Sequence, residues 1–320
     1  MEHVERDASA KAARNIARAI GTPASLSAMI VCSASKRDFA AQVAAELSGD
    51  GIFAYTLGLA GDRDQAKWEP LKRMIGGIAS TWALGFFISW QDSGFLFDVV
   101  GRPDTGIKIR CDHLYCDFCI RLPGLIRTAS ADPWELENFK GSLLKALADV
   151  PRFSQPEMEI TTRAGTRVTL LPRKWNDSGG EVFTAPVEGL ASGAIVVDGC
   201  AYSGPPKVPF ALKLKGGQVA NLDELEKTDD QQRMVLDDLT RDANARVLAE
   251  LGIGAYPEAR EDADLMEAEQ ARGTCHFGFG HNVEYGGTNA SSYHFDLVVR
   301  RPTIKLGKRV IMKDGVLVNA

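Results

Sequence analysis

Apolar and polar positions follow two different rhythms along this chain, and the change falls near Pro151. In the first part, short apolar runs alternate with helical spacing. Residues 1–21 read as a charged amphipathic helix that stops at Gly21, with Pro23 just beyond. Ser27 to Cys32 reads as a buried strand. Phe39, Val43 and Leu47 then share one face of a helix running from Lys36 to Leu47. Gly51 turns the chain into a second strand, Ile52 to Leu57, and this β-α-β order predicts a parallel sheet with helices on its faces. The runs Leu84 to Ser89, Gly94 to Val100 and Ile107 to Arg110 predict further strands, followed by a helix from about Trp134 to Ala148. No glycine-rich phosphate loop follows any of them, so nucleotide binding has no sequence support.

From Glu157 onward the pattern becomes short strands and tight turns. EMEITTRAGTRVTLLPRKW predicts a hairpin around Ala164-Gly165, and the terminal VIMKDGVLV predicts another at Asp314-Gly315. SGAIVVDGCAY and FALKLKGGQV read as strands of the same kind. A capping box at Thr228–Gln231 opens what reads as one long helix, with Leu236, Leu239, Ala243, Val247 and Leu251 as its buried stripe before Gly252 ends it. The expected fold class is α/β. An N-terminal α/β domain (1–150) carries a mostly parallel sheet, and a C-terminal α+β domain (151–320) is rich in antiparallel strands.

The densest chemistry lies between Arg272 and Val299. In GTCHFGFG, alternation puts Thr274, His276 and Gly278 on one face, with Cys275, Phe277 and Phe279 on the other. In HFDLVV it puts His294 and Asp296 together, with Phe295 and Leu297 behind them. Two imidazoles and a carboxylate converging from neighbouring strands suit a divalent cation, and the glycines let the backbone approach what is bound. Glu181 follows Ser178-Gly179-Gly180 at the start of a short strand. Glu250 falls in the last turn of the expected long helix, where a nearby cation would offset its unfavourable position on the helix dipole. Glu269 precedes His276 by seven residues as a further ligand or supporting residue, and Glu188 has the least specific setting. Glu181, Glu250, His276, His294 and Asp296 offer more donors than one zinc takes. They suit two metals about 3.5–4 Å apart that share a water, an arrangement fitted to amide or ester hydrolysis.

Composition narrows the partners. The 320 residues carry a net charge of −5 and a pI near 5.7, so no basic field invites nucleic acid or an anionic membrane surface. The N-terminal helix lacks the apolar core of a secretory signal, and a cytoplasmic protein is expected. Met74 to Trp90, the most apolar run, is short for a membrane span and reads as buried strand or helix. The six cysteines are expected to be reduced thiols. Cys111, Cys116 and Cys119 with His113 have only partial zinc-site spacing. Trp175, shortly before Glu181, is expected to pack rather than to line the site.

Four segments in order carry a resemblance to a known family: GEVFTAPVE, AELGIG, Glu269 with GTCHFGFG seven residues on, and GGTNASSYHFD. They resemble the metal-binding segments of the thermophilic aminopeptidases (the aminopeptidase T type, leucyl aminopeptidase-like metallopeptidases) from about Glu157 to the C-terminus. The resemblance implies a two-metal exopeptidase, usually a homodimer, acting on a short peptide or small molecule. Glu181, Glu250, His276, His294 and Asp296 would be ligands of zinc, cobalt or manganese, and Glu269 matches the family's glutamate. Glu250 would serve as bridging ligand or general base. That family carries a tyrosine seven residues after its first histidine. Here the position is Val283, which leaves Tyr285 and His281, in the same loop, as candidates for its role. The N-terminal part is shorter than in the family. It is similar in this to the more distant 2,5-dihydroxypyridine dioxygenases, which hold one Fe(II) on two histidines and an aspartate and whose H-x-G-aromatic-G segment is close to His276–Gly280. They lack the glutamate found here as Glu181. A third reading is a family member that binds without catalysing.

Overall fold

The computed structural model describes residues 2–20, 27–59, 69–70, 73–74, 83–87, 114–116, 121–148 and 157–318. The strands expected at Gly94 to Val100 and Ile107 to Arg110, the stop signal at Gly21 and Pro23, most of the Met74 to Trp90 run, and Cys111, His113 and Cys119 lie outside them. The chain divides into two compact units, Met1–Ala131 and Asp132–Ala320.

In the first unit, β1 (Ser27–Ser33) lies between β2 (Phe53–Leu59) and β3 (Ala83–Phe87), and β4 (Leu114–Cys116) adds to β3, with every pairing parallel. The helix between the first two strands, α2 (Arg37–Gly49), follows α1 (Glu2–Ile20) and buries Phe39, Val43 and Leu47, the face expected from their spacing. Gly51, at φ +83°, makes the turn into β2. Helix α3 (Leu122–Ala129) completes the unit. No helix among the described residues is long and apolar enough to cross a membrane.

The second unit holds two antiparallel sheets. The larger runs β11-β10-β9-β6-β5-β15-β16-β17, built on β5 (Met158–Thr161), β6 (Arg167–Leu170), β9 (Ser192–Val197), β10 (Phe210–Lys215), β11 (Gln218–Val219), β15 (Thr303–Leu306), β16 (Arg309–Lys313) and β17 (Val316–Leu317). Its two expected hairpins are present. Gly165 sits at φ +113°, and Asp314 and Gly315 at +50° and +82°, the backbone that a two-residue hairpin turn of this hand requires. The smaller sheet runs β14-β13-β12-β8-β7, from β7 (Asn176–Ser178), β8 (Glu181–Thr184), β12 (Leu248–Gly254), β13 (Thr274–Gly280) and β14 (His294–Arg300). Val168 and Ile195 of the larger sheet and Leu251, Ile253, Phe277, Phe279 and Leu297 of the smaller belong to one buried apolar cluster. Helix α4 (Pro133–Ala148) contributes Leu143, Ala146 and Leu147 to that cluster, so it counts with the second unit.

The long helix expected from Thr228 to Gly252 is two elements. Helix α5 covers only Asp230–Leu239, capped by Asp229, whose side chain accepts from the Gln232 N–H. Thr240 ends it, and Asp242 accepts from the Asn244 N–H at 2.8 Å in the turn that follows. Leu248–Gly254 is then a strand in which every residue is buried. A strand covered on both faces loses the alternation that would separate it from a helix, so its apolar residues continued the helical stripe by coincidence. Glu250 therefore arrives on a strand, with β13 and β8 on either side.

Candidate metal centre

The cross-strand register of the smaller sheet assembles the site. Glu250 pairs with Gly278 and Gly278 with Asp296; Gly252 pairs with His276; Gly280 pairs with His294; Gly254 pairs with Glu181. Alternation puts Glu181, Glu250, His276, His294 and Asp296 on one face of β8, β12, β13 and β14. The opposite face, with Val182, Leu251, Cys275, Phe277 and Leu297, is buried in the core. A glycine stands opposite each donor. At Gly252 and Gly278 the reason is that donor side chains fold down onto the neighbouring strand, whereas Gly254 and Gly280 lie against the Ala271 and Tyr293 carbonyls. At Gly278 a Cβ would come within 2.7 Å of the His294 ring and 2.8 Å of Asp296 Oδ1.

Two groups of three donors result: Glu181, Glu250 and His276, and Glu250, His294 and Asp296. His276 Nε2 lies 3.2 Å from Glu181 Oε2 and 3.7 Å from Glu250 Oε1. His294 Nε2 lies 3.1 Å from Glu250 Oε2 and 3.3 Å from Asp296 Oδ1. The two oxygens of Glu250 thus face different histidines. Ligands about 2.0–2.2 Å from a tetrahedral ion stand roughly 3.3–3.6 Å apart, and these spacings are of that size.

Both imidazoles are oriented by backbone carbonyls. His276 Nδ1 is 3.2 Å from the Glu269 carbonyl, and His294 Nδ1 is 2.6 Å from that of His281. Donation from Nδ1 to a carbonyl fixes the tautomer in which Nε2, turned toward the carboxylates, is the nitrogen a cation would take in exchange for its proton. Neither bond was legible in the sequence, since any residue supplies a carbonyl.

The electrostatics are those of a crowded anionic cavity. Burial pushes the Glu181 carboxyl up to about 8, with the His276 charge opposing and those of Glu250 and Asp296 adding. Burial also pushes Glu250 up, but its contacts with His276 and His294 outweigh this and hold it at about 2. Burial, reinforced by the charge on Asp296, lifts Glu269 well above the usual carboxylate range. Burial lowers both histidines, yet the surrounding carboxylates raise them well above their ordinary value. Glu181 Oε2 and Glu269 Oε2 are buried and make no hydrogen bond among the described residues. Bare carboxylate oxygens beside nitrogen donors fit divalent cations, which would offset the mutual repulsion.

The remaining expected residues take other places. The Tyr285 ring packs edge-on against His294, at 5.3 Å between centroids, and against Phe183, at 5.4 Å. Val283, at the position of the aminopeptidase tyrosine, is 48% exposed. The His281 side chain points away from the donors, with Nε2 2.8 Å from Glu284 and Nδ1 accepting from the Ser291 N–H, so only its carbonyl serves the site. Glu269 lies outside both three-donor groups, though its carboxyl feels the charge of four of their members. Glu188 is paired with Arg173 instead. Trp175 packs against the core.

The family model for NicX, 2,5-dihydroxypyridine 5,6-dioxygenase, matches residues 156–319. No curated protein matches the sequence. Among solved structures, the fold is similar to that of 2,5-dihydroxypyridine dioxygenase from Pseudomonas putida KT2440. That match has a TM-score of 0.66 and 13% identity, and covers 99% of this chain and 98% of that one. It is similar also to wild-type AmpT from Thermus thermophilus, with a TM-score of 0.64 and 13% identity over 98% of this chain and 99% of that one.

Proposed function

This chain belongs to the NicX (2,5-dihydroxypyridine 5,6-dioxygenase) family, and we propose that within it the protein is a two-cation hydrolase cleaving an amide bond of a small peptide or amino-acid conjugate. One observation carries the reading: Glu250 turns one oxygen toward each histidine and so belongs to both three-donor groups. Glu181 and His276 would hold one ion, His294 and Asp296 the other, and Glu250 both. Zinc, cobalt or manganese bound there would acidify a shared water and polarise a substrate carbonyl.

The chain's own residues supply the rest. The two backbone carbonyls hold the Nδ1 proton of each ring and aim Nε2 inward, so that Nε2 is the atom that would face a bound cation. Glu269 Oε2, buried and without a hydrogen bond, is the atom to accept a proton from the attacking water and pass it to the leaving amine. Burial and the charges of Glu250 and Asp296 raise Tyr285 well above its ordinary value, so its hydroxyl stays protonated and able to donate to the substrate carbonyl. Its ring, with Phe183, gives apolar surface beside the donors.

The family match favours a second reading, a ring-opening dioxygenase with one Fe(II) on His276, His294 and Asp296. Against it, those three residues form no donor group of their own among the described residues, and each group found needs Glu250. Elemental analysis of protein purified without chelator separates the readings. About two zinc, cobalt or manganese ions per chain, falling to one in Glu181→Ala, support the hydrolase. A single iron indifferent to that substitution, with oxygen uptake on dihydroxylated pyridines, sinks it.

A further inference from the structure

We propose that Glu188, together with Arg173, is a positioning residue for the His294 half of the donor cluster, acting through the loop 281–289. The inference rests on the two-cation reading above. Glu188 lies outside both donor groups, yet both of its oxygens are committed. Oε2 is 2.5 Å from Arg173 Nη2, and Oε1 accepts from Asn282 Nδ2 at 3.0 Å and from the Thr288 N–H at 2.8 Å. Arg173 is itself tied down by donating from Nη1 to the Pro186 carbonyl.

Asn282 is the fully buried hub of the loop. Its Nδ2 also reaches the Ala249 carbonyl at 3.3 Å, next to Glu250, and its Oδ1 accepts from the Asn289 N–H at 2.8 Å. Gly287 N–H donates to the Asn282 carbonyl, and a Cβ at Gly287 would stand 2.2 Å from Asn282 Cγ. The residue before this hub is His281, whose carbonyl receives His294 Nδ1 at 2.6 Å and whose N–H donates to Tyr293. One ionised carboxylate therefore fixes, through a single amide side chain, the carbonyl that orients a histidine and the strand position beside the shared glutamate. Such supporting partners typically carry 10- to 100-fold in metal affinity. His276 takes its carbonyl from Glu269 instead, and among the described residues no hydrogen bond links Glu188 to it.

The test is calorimetric titration of the metal-free full chain with Mn2+. Wild type is expected to bind two ions, and Glu188→Ala to weaken one of them 10- to 100-fold. Glu181→Ala removes the other, so the double variant retains neither at wild-type strength. Glu188→Gln keeps an acceptor for Asn282 and Thr288 and recovers part of the affinity. Val168→Ala, a core truncation in the larger sheet, controls for general destabilisation by lowering the melting temperature with both affinities unchanged. If Glu188→Ala does not fold, Arg173→Ala carries the same prediction. Wild-type affinities in these variants, or equal weakening of both ions in step with Val168→Ala, would overturn the proposal. A wild-type chain binding one ion that Glu188→Ala still weakens would overturn the two-cation reading and leave the positioning role standing. No binding by wild type would overturn both.

Discussion

His276 lies across Gly252 of the neighbouring strand so closely that a Cβ there would stand 2.0 Å from its Nε2 and 2.1 Å from Cε1. The two are cross-strand partners, so a side chain at position 252 and the His276 ring would compete for the same space. Gly252→Ala is therefore expected to expel the imidazole from its place. Forcing a methyl into such a contact costs about 1–3 kcal/mol. Urea unfolding should show a loss of that size, and Mn2+ titration should lose the ion shared by Glu181 and His276. Unchanged binding would mean that His276 is no ligand.

The metal-free cluster holds extra protons. Glu181 and Glu269 have folded-state values above their unfolded ones, as do His276 and His294. For each group the folded chain binds more protons than the unfolded chain between those two values, so their contribution to stability falls as pH rises. For Glu181 that window runs from about 4.5 to about 8. Metal-free protein should be more stable near pH 5 than near pH 8, and saturating Mn2+ should reverse the trend, because cation binding must release those protons. Melting curves at several pH values, with and without the ion, check both halves.

Glu188 has the opposite sign. Burial pushes its carboxyl up, but hydrogen bonds from Arg173, Thr288 and Asn282 hold it at about 2. Its contribution is fully present above about 4.5 and disappears as pH falls through 2. Wild type should exceed Glu188→Ala in urea midpoint at pH 6, with the gap narrowing steadily through pH 4 and 3. A gap that stayed constant to pH 2 would show that the carboxylate charge plays no part.

Tyr285 and Val283 make a matched pair. The ring of Tyr285 rests on His294, while Val283 faces solvent. Tyr285→Phe keeps the ring and should preserve cation affinity while lowering kcat on an amide substrate about 100-fold, within the range for a lost proton donor. Val283→Ala should leave both kcat and stability near wild type. Equal effects from the two substitutions would remove Tyr285 from the chemistry.

How far the sequence reveals this site depends on which link is asked for. The period-2 pattern of GTCHFGFG and HFDLVV placed His276, His294 and Asp296 on one face, because a half-covered strand leaves that imprint. The apolar spacing points Glu250 to a helix, whereas it lies on β12, which is buried along its whole length and whose apolar residues continue the spacing of α5. The carbonyls of Glu269 and His281 leave no trace in residue identity. Nor does Asn282 announce itself, for its role depends on a loop that brings Glu188, 94 positions earlier, to its side. The parallel order of the first unit was legible because α2 has a clean apolar face between two strands.

The donors all come from paired strands, whereas Tyr285 and the His281 carbonyl come from the loop above them. Floor and wall are thus separately variable. Substitutions in the wall can redraw what is admitted and how it is protonated while the electrostatic floor persists. Trimming a single carboxylate from the floor would change its charge while leaving the strand pairings in place. In a fold divided in this way, the charge of the floor and the shape of the wall answer to different substitutions.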